Sequence, residues 1–227
     1  MQTRSIISLL LTGLLLLGYA CKKKTETLQF HTEYFGLQEG RFVEYDVTSI
    51  RHDAALNVHD TDYYQLKTLI GEIVTDNAGR SARKFFRYVR PNSSGTWTLQ
   101  DVWTAVIDGS RAELVEENQR VIKLVFIPTE LKEWNPNAFN MLGNMTSYYK
   151  DIHAAKQVNE IAFDTTLVVE QENYKTLIDY RRKREMYAKG IGLVSKYYKD
   201  LKISNFDTLS PTKGEELFFT ITDYGLE

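Results

Sequence analysis

From about residue 42 to residue 222, apolar and polar residues alternate in short runs, with Gly, Asn, Asp or Pro separating many of them. A period of two sends successive side chains to opposite faces, so each run describes a strand with one buried face. In residues 42–50, Val43, Tyr45 and Val47 share one face, while Glu44, Asp46 and Thr48 take the other. Residues 64–74 repeat the form with Tyr64, Leu66, Thr68 and Ile70. Asp76-Asn77-Ala78-Gly79 then turns the chain, and residues 82–89 return as a hairpin partner. Residues 96–107 set Trp97, Leu99 and Trp103 on one face. Residues 112–116 and 121–127 form a further hairpin, ended by Pro128, which cannot donate to a ladder. Strands resume near 147–152, 160–171, 179–189, 193–203 and 217–222. The pattern predicts a mainly β fold of about ten antiparallel strands in a curved sheet, half-barrel or sandwich.

One stretch breaks the rhythm. Within residues 129–145, Leu131, Trp134, Ala138 and Met141 recur at roughly helical spacing, but Pro136 interrupts them. A short irregular insertion with a helical turn at either end is expected there. No internal repeat and no Pro- or Ser-rich linker divides the chain, so residues 30–227 read as a single β-rich domain. With 28 basic and 30 acidic residues the net charge is −2. That balance offers no concentrated basic face and argues against a nucleic-acid partner. Fourteen Tyr, eleven Phe and three Trp supply the apolar area a core needs.

Ahead of the domain stands a leader. Arg4 precedes an apolar run from Ile6 to Leu17, followed by Gly18-Tyr19-Ala20 and the single cysteine, Cys21. A basic start, a short apolar core and small residues before a cut make an export signal over residues 1–20. The apolar run falls short of the about 20 residues that span a bilayer. Cys21 and Lys22-Lys23-Lys24 open a polar tether over residues 21–29.

This arrangement resembles bacterial lipoproteins, in which the residue after the cleavage point is an acylated cysteine; Cys21 matches that position. The family prefers Leu three residues earlier, where this chain has Gly18. The resemblance implies lipidation of Cys21 and attachment to a membrane, with each buried methylene contributing about 0.8 kcal/mol. Lys22 stands where an Asp would favour inner-membrane retention, and no acidic pair follows the cysteine closely. Both features imply an outer-membrane anchor facing the periplasm.

Few residues invite chemistry. His52 and His59, with Arg51, Asp53, Asp60 and Asp62, have metal-ligand side chains. Between two strands, however, they read as solvated loop residues, and no metal is expected. His31 and His153 read as isolated surface or packing residues. Glu116-Glu117 and Glu215-Glu216 are adjacent, so on a strand each pair points to opposite faces and shares no acid/base task. No motif pairs a nucleophile with a base, so no catalytic residue, cofactor or enzymatic activity is expected. Arg181-Arg182-Lys183-Arg184 reads as a polar strand end balanced by acids across from it, beginning with Glu185, rather than as a phosphate-binding surface.

Gly190-Ile191-Gly192 separates two strong strand patterns and permits positive φ in a tight reversal. The segment from Tyr187 to Val194 with Tyr197-Tyr198 resembles exported lipoproteins of the Bacteroidetes. That resemblance implies a curved antiparallel sheet similar to lipoprotein-carrier half-barrels. Asp164-Thr165-Thr166 and Asp207-Thr208-Leu209 resemble the Asp-Thr-x acceptor of that phylum, which implies O-glycosylation at Thr165 and Thr208.

Two roles follow. The first is a non-catalytic accessory or structural subunit of an outer-membrane assembly. It would dock on a protein partner through a sheet edge or the 129–145 insertion, with Trp134 or Phe139 as exposed anchors. The alternative is a binding module or carrier for an apolar ligand or acyl chain on a concave aromatic face.

Overall fold

The computed structural model describes residues 28–130 and 132–227. The leader, Cys21 with most of its tether, and Leu131 lie outside the described residues. Among the described residues twelve strands form one antiparallel sheet. They are β1 (Arg41–Asp53), β2 (Val58–Thr75), β3 (Ser81–Arg90), β4 (Thr98–Asp108), β5 (Arg111–Glu116) and β6 (Gln119–Val125). After these come β7 (Glu133–Trp134), β8 (Ser147–Val158), β9 (Ile161–Lys175), β10 (Asp179–Ala188), β11 (Gly192–Lys202) and β12 (Lys213–Leu226). Strands consecutive in sequence pair with one another except β6 and β7, which form the two edges; in addition β1 pairs with β12. The sheet curls into a nearly closed barrel, in keeping with the half-barrel predicted from the alternation.

The gap between the edges is closed by side chains and single backbone contacts instead of a ladder. The Tyr149 hydroxyl donates to the Val125 carbonyl and accepts from the Val125 amide, each at 2.8 Å. Trp134 Nε1 donates to the Ile122 carbonyl at 3.2 Å, and the Ile122 amide donates to the Pro136 carbonyl at 2.9 Å. Asn140 Nδ2 reaches the Arg120 carbonyl at 2.9 Å. An open strand edge exposes a row of unpaired backbone groups, and these contacts satisfy it.

The 129–145 insertion is irregular: among its described residues no helix forms, only isolated turns closed from Lys132 to Thr129, from Ala138 to Asn135 and from Asn140 to Asn137. Trp134 belongs to β7 and packs at a tilt on Tyr149, 4.7 Å between ring centroids, while Met141 is 95% exposed. The apparent helical spacing therefore comes from residues serving unrelated ends. Trp134 is half-buried in the seam and is not the exposed anchor expected. Phe139 packs beside the guanidiniums of Arg111 and Arg120, which hold the buried Glu113 carboxylate at 2.6 and 3.0 Å.

Alternation places Val43, Tyr45, Val47, Leu66 and Ile70 in the core as expected. The grouping of Leu99 with Trp103 fails. Tyr88 pairs with Leu99 but Arg87 with Asp101, so Gln100 is an extra residue in a β-bulge. One added residue inverts the facing of everything before it. Leu99 is accordingly 49% exposed, while Trp103 packs on the core.

Before β1, a 3-10 turn at Thr32–Phe35 tucks into the barrel, burying Tyr34 and Phe35 against Leu124, Tyr149 and Tyr187. This plug is held by the Gly190 amide, which donates to the Glu33 carbonyl at 2.9 Å. Gly36 has φ +53°, and a Cβ there would sit 2.5 Å from the Ile191 carbonyl oxygen. Gly190 and Gly192 adopt the positive φ that their turn was expected to need, 76° and 109°. Among the described residues no helix is long and apolar enough to cross a membrane.

Candidate functional site

The plug does not fill the barrel. Beside it lies a cavity of about 220 Å³, lined by β1–β6, β10–β12 and plug residues Phe35 and Gly36. Val43, Tyr45, Leu66, Ile70, Trp103 and Phe219 supply an apolar wall. The same cavity is lined by charged residues that the alternation did not reveal: Arg41, Arg87, Glu116, Lys123, Glu185 and Lys196.

Their arrangement is specific. Lys123 Nζ lies 2.8 Å from Glu185 Oε1 and 3.6 Å from Glu116 Oε1. The Tyr187 hydroxyl donates to Glu185 Oε2 at 2.6 Å. Glu185 and Lys123 are only 2% and 8% exposed. Burial pushes the Glu185 carboxyl up, but Lys123 and then Lys196 outweigh it and hold it below the usual range. Burial pulls the Lys123 amine down, and Glu116 and Glu185 more than reverse that. Burial and the Glu185 charge together push the Tyr187 hydroxyl well up.

A bulge places the lysine. Ala112 pairs with Leu124 and Glu113 with Ile122, leaving Lys123 as the extra residue of β6. Such an insertion bends the strand and re-aims a side chain, here into the cavity.

The other cations differ in their partners. Arg87 is neutralised by Asp101 at 2.6 Å and lies 4.1 Å from the Trp103 ring centroid. Lys196 stands opposite Glu185 in the β10–β11 register, yet has no carboxylate at ion-pair distance among the described residues. Burial pulls its amine below the usual lysine range, against the opposing pull of Glu185. Arg41 hydrogen-bonds Gln38 at 3.1 Å and the Gly225 carbonyl at 3.5 Å, while its Nε is buried without a partner.

The residues singled out from sequence lie elsewhere. Cys21 falls outside the described residues. Thr165 is half-buried within β9, and Thr208 lies half-buried in the stretch between β11 and β12. The histidines expected in a solvated loop are on strands instead: His52 of β1 pairs with His59 of β2. Their Nδ1 atoms are 2.9 Å apart, and His52 Nε2 meets Glu216 Oε1 at 3.0 Å in a buried contact. Glu216 also holds Lys199 at 2.5 Å. The strands simply run further than the apolar alternation did, because cross-strand polar pairing sustains a ladder as well.

His31 and His153 are not isolated either. Their rings approach to 4.5 Å, and Tyr34 Oη lies 2.6 Å from His153 Nδ1. Burial, His31 and Lys189 hold the His153 imidazole below its usual range. Burial and Glu33 push the Tyr34 hydroxyl up to about 12. Half of the basic run, Arg181 and Lys183, meets acids across the sheet as expected, whereas Arg182 and Arg184 lie beside the Tyr197 ring, 5.4 and 5.2 Å from its centroid. Lys183 meets Glu172 at 2.6 Å and Asp200 at 2.9 Å, and Arg181 meets Asp200 at 3.0 Å. Glu185 serves the cavity instead.

No family model matches the chain, and no curated protein matches it. Among solved structures, a candidate lipoprotein from Parabacteroides distasonis aligns with TM-score 0.39 and 13% identity, covering 88% of this chain and 100% of that one. A likeness of that degree fixes neither fold nor function for this chain.

Proposed function

We propose that this chain is a lipid-anchored, non-catalytic ligand-binding module of the cell envelope, with the barrel cavity as its site. The observation that carries the reading is an apolar interior space that also holds a hydrogen-bonded charged cluster, Lys123–Glu185–Tyr187. Ligand sites are typically apolar hollows with a few placed polar groups, and this cavity has that make-up. The anchor part of the reading rests on Cys21 and its leader.

Volume narrows the ligand. Common ligand pockets run from about 300 to 1,000 Å³. At roughly 30 Å³ per water, the observed space takes about seven waters. A medium-chain or single-ring molecule fits; a whole diacyl lipid does not. The carrier idea therefore contracts to a small amphipathic ligand. The accessory role keeps one supporting feature, the insertion residues Phe139, Met141 and Leu142, which are 42%, 95% and 54% exposed.

The test uses the chain from residue 21, produced unacylated so that no detergent is needed; it retains every described strand. Titration with the neutral single-ring fluorophore 4-(dimethylamino)benzonitrile should give saturable uptake of one equivalent. Thr68→Phe, which fills the cavity from a half-buried wall position, should abolish that uptake with an unchanged β-sheet circular dichroism spectrum. Absence of saturable uptake by the parent chain would sink the reading.

A further inference from the structure

We infer that the cavity selects ligands bearing an anionic group, a carboxylate above all, and that Lys196 is the residue that receives it. This rests on the ligand-binding reading and specifies its substrate class.

Glu185 offers two carboxylate oxygens, and both are taken: Oε1 by Lys123 at 2.8 Å and Oε2 by the Tyr187 hydroxyl at 2.6 Å. Glu116 also turns to Lys123, at 3.6 Å. Arg87 is spoken for by Asp101. Lys196 alone among these lines the cavity with no hydrogen-bond acceptor and no carboxylate at ion-pair distance among the described residues. Its amine lies 5.5 Å from the ring centroid of Phe219, itself part of the apolar wall. An ammonium in such surroundings lacks the pairing that buried charge requires. An anion entering the cavity supplies that pairing, and its apolar body meets Leu66, Trp103 and Phe219.

The remaining charge points the same way. Arg41 has no acid partner among the described residues, and its buried Nε lacks an acceptor. A cationic ligand finds the opposite situation, since the carboxylates facing the cavity already serve Lys123. Charge-assisted hydrogen bonds are the stronger kind, with a net worth of about 1.5–3 kcal/mol. Each 1.4 kcal/mol is a tenfold change in affinity, so a preference of roughly ten- to hundredfold for an acid over its neutral counterpart is expected.

The experiment is calorimetric titration of the unacylated chain, at pH 7.5, with octanoate, 1-octanol and octylamine, three ligands of one chain length. Octanoate should bind at least tenfold more tightly than octanol, and octylamine more weakly than both. Lys196→Met should bring octanoate down to the level at which the same variant binds octanol. Equal affinity of the parent chain for acid and alcohol overturns the inference without needing any variant to fold. So does a preference for the acid that survives Lys196→Met. In both cases octanol and the neutral fluorophore still bind, and the ligand-binding reading stands; loss of all binding, including that of the fluorophore, removes that reading as well.

Discussion

The Tyr149 hydroxyl spans the barrel seam to a single residue, donating to the carbonyl of Val125 and accepting from its amide, both at 2.8 Å. A phenol can do this because its oxygen is donor and acceptor at once. One side chain thus satisfies both backbone groups that a neighbouring strand would have paired. Burial pushes the hydroxyl well above its usual range, which keeps it protonated and able to donate. Trp134, expected to be exposed, works at the same seam through Ile122.

Tyr149→Phe keeps the ring packing and removes both bonds. A buried backbone group left unpaired costs about 1–3 kcal/mol, so the variant should lose about 2 kcal/mol or more in urea unfolding. Hydrogen exchange at the Val125 amide should accelerate at the same time. Unaltered protection at Val125 would show that the seam is held by something else.

Lys123→Met strands a carboxylate in the interior. Breaking a buried pair from one side costs about 3–5 kcal/mol. The double variant Lys123→Met with Glu185→Gln should recover part of that loss, because no uncompensated charge remains. Denaturant melts of the two single variants and the double variant provide the cycle. Additive losses would mean the two groups do not interact.

Glu185 also sets a pH dependence. Its native pKa is depressed, so the stability it contributes is complete above the unfolded value of about 4.3 and is lost as pH falls through the lower native value. Glu185→Gln should therefore flatten the decline of Tm with acidity below pH 4.3. Identical slopes for parent and variant would contradict the assigned direction.

Gly36→Ala tests the plug. Positive φ costs a non-glycine residue about 1–2 kcal/mol, and the added Cβ meets the Ile191 carbonyl oxygen at 2.5 Å. The expected result is a loss of at least that size, with faster amide exchange at Gly190, whose amide holds the plug. Fluorophore affinity should change too, since Gly36 lines the cavity.

Cys21→Ser probes the anchor. In cells, the parent should sediment with membranes and be released by detergent. The variant should lose acylation by mass spectrometry and leave the membrane fraction. Retention of the variant on membranes would remove the lipoprotein reading while leaving the cavity untouched.

The strands were readable because half-buried strands alternate, and each pair of successive side chains must face opposite sides. Val43, Tyr45, Leu66 and Ile70 could be assigned to the core on that ground alone, and the turn glycines 190 and 192 to positive φ. Alternation loses its power where an extra residue enters. Gln100 turned Leu99 outward and Lys123 turned its charge inward, and nothing in the local composition marks either as a bulge.

Sequence by itself determined the β class and the core-facing side of β1 and β2, because these follow from local periodicity. Only the tertiary structure decided that β1 and β12 pair, that Tyr149 closes the seam and that residues 33–36 plug the interior. It also decided that Lys123, Glu185 and Lys196, from three separate strands, line one cavity. Closing a sheet brings together residues far apart in the chain. Which of them meet depends on register and bulges summed around the whole barrel, a quantity that no short stretch of sequence carries.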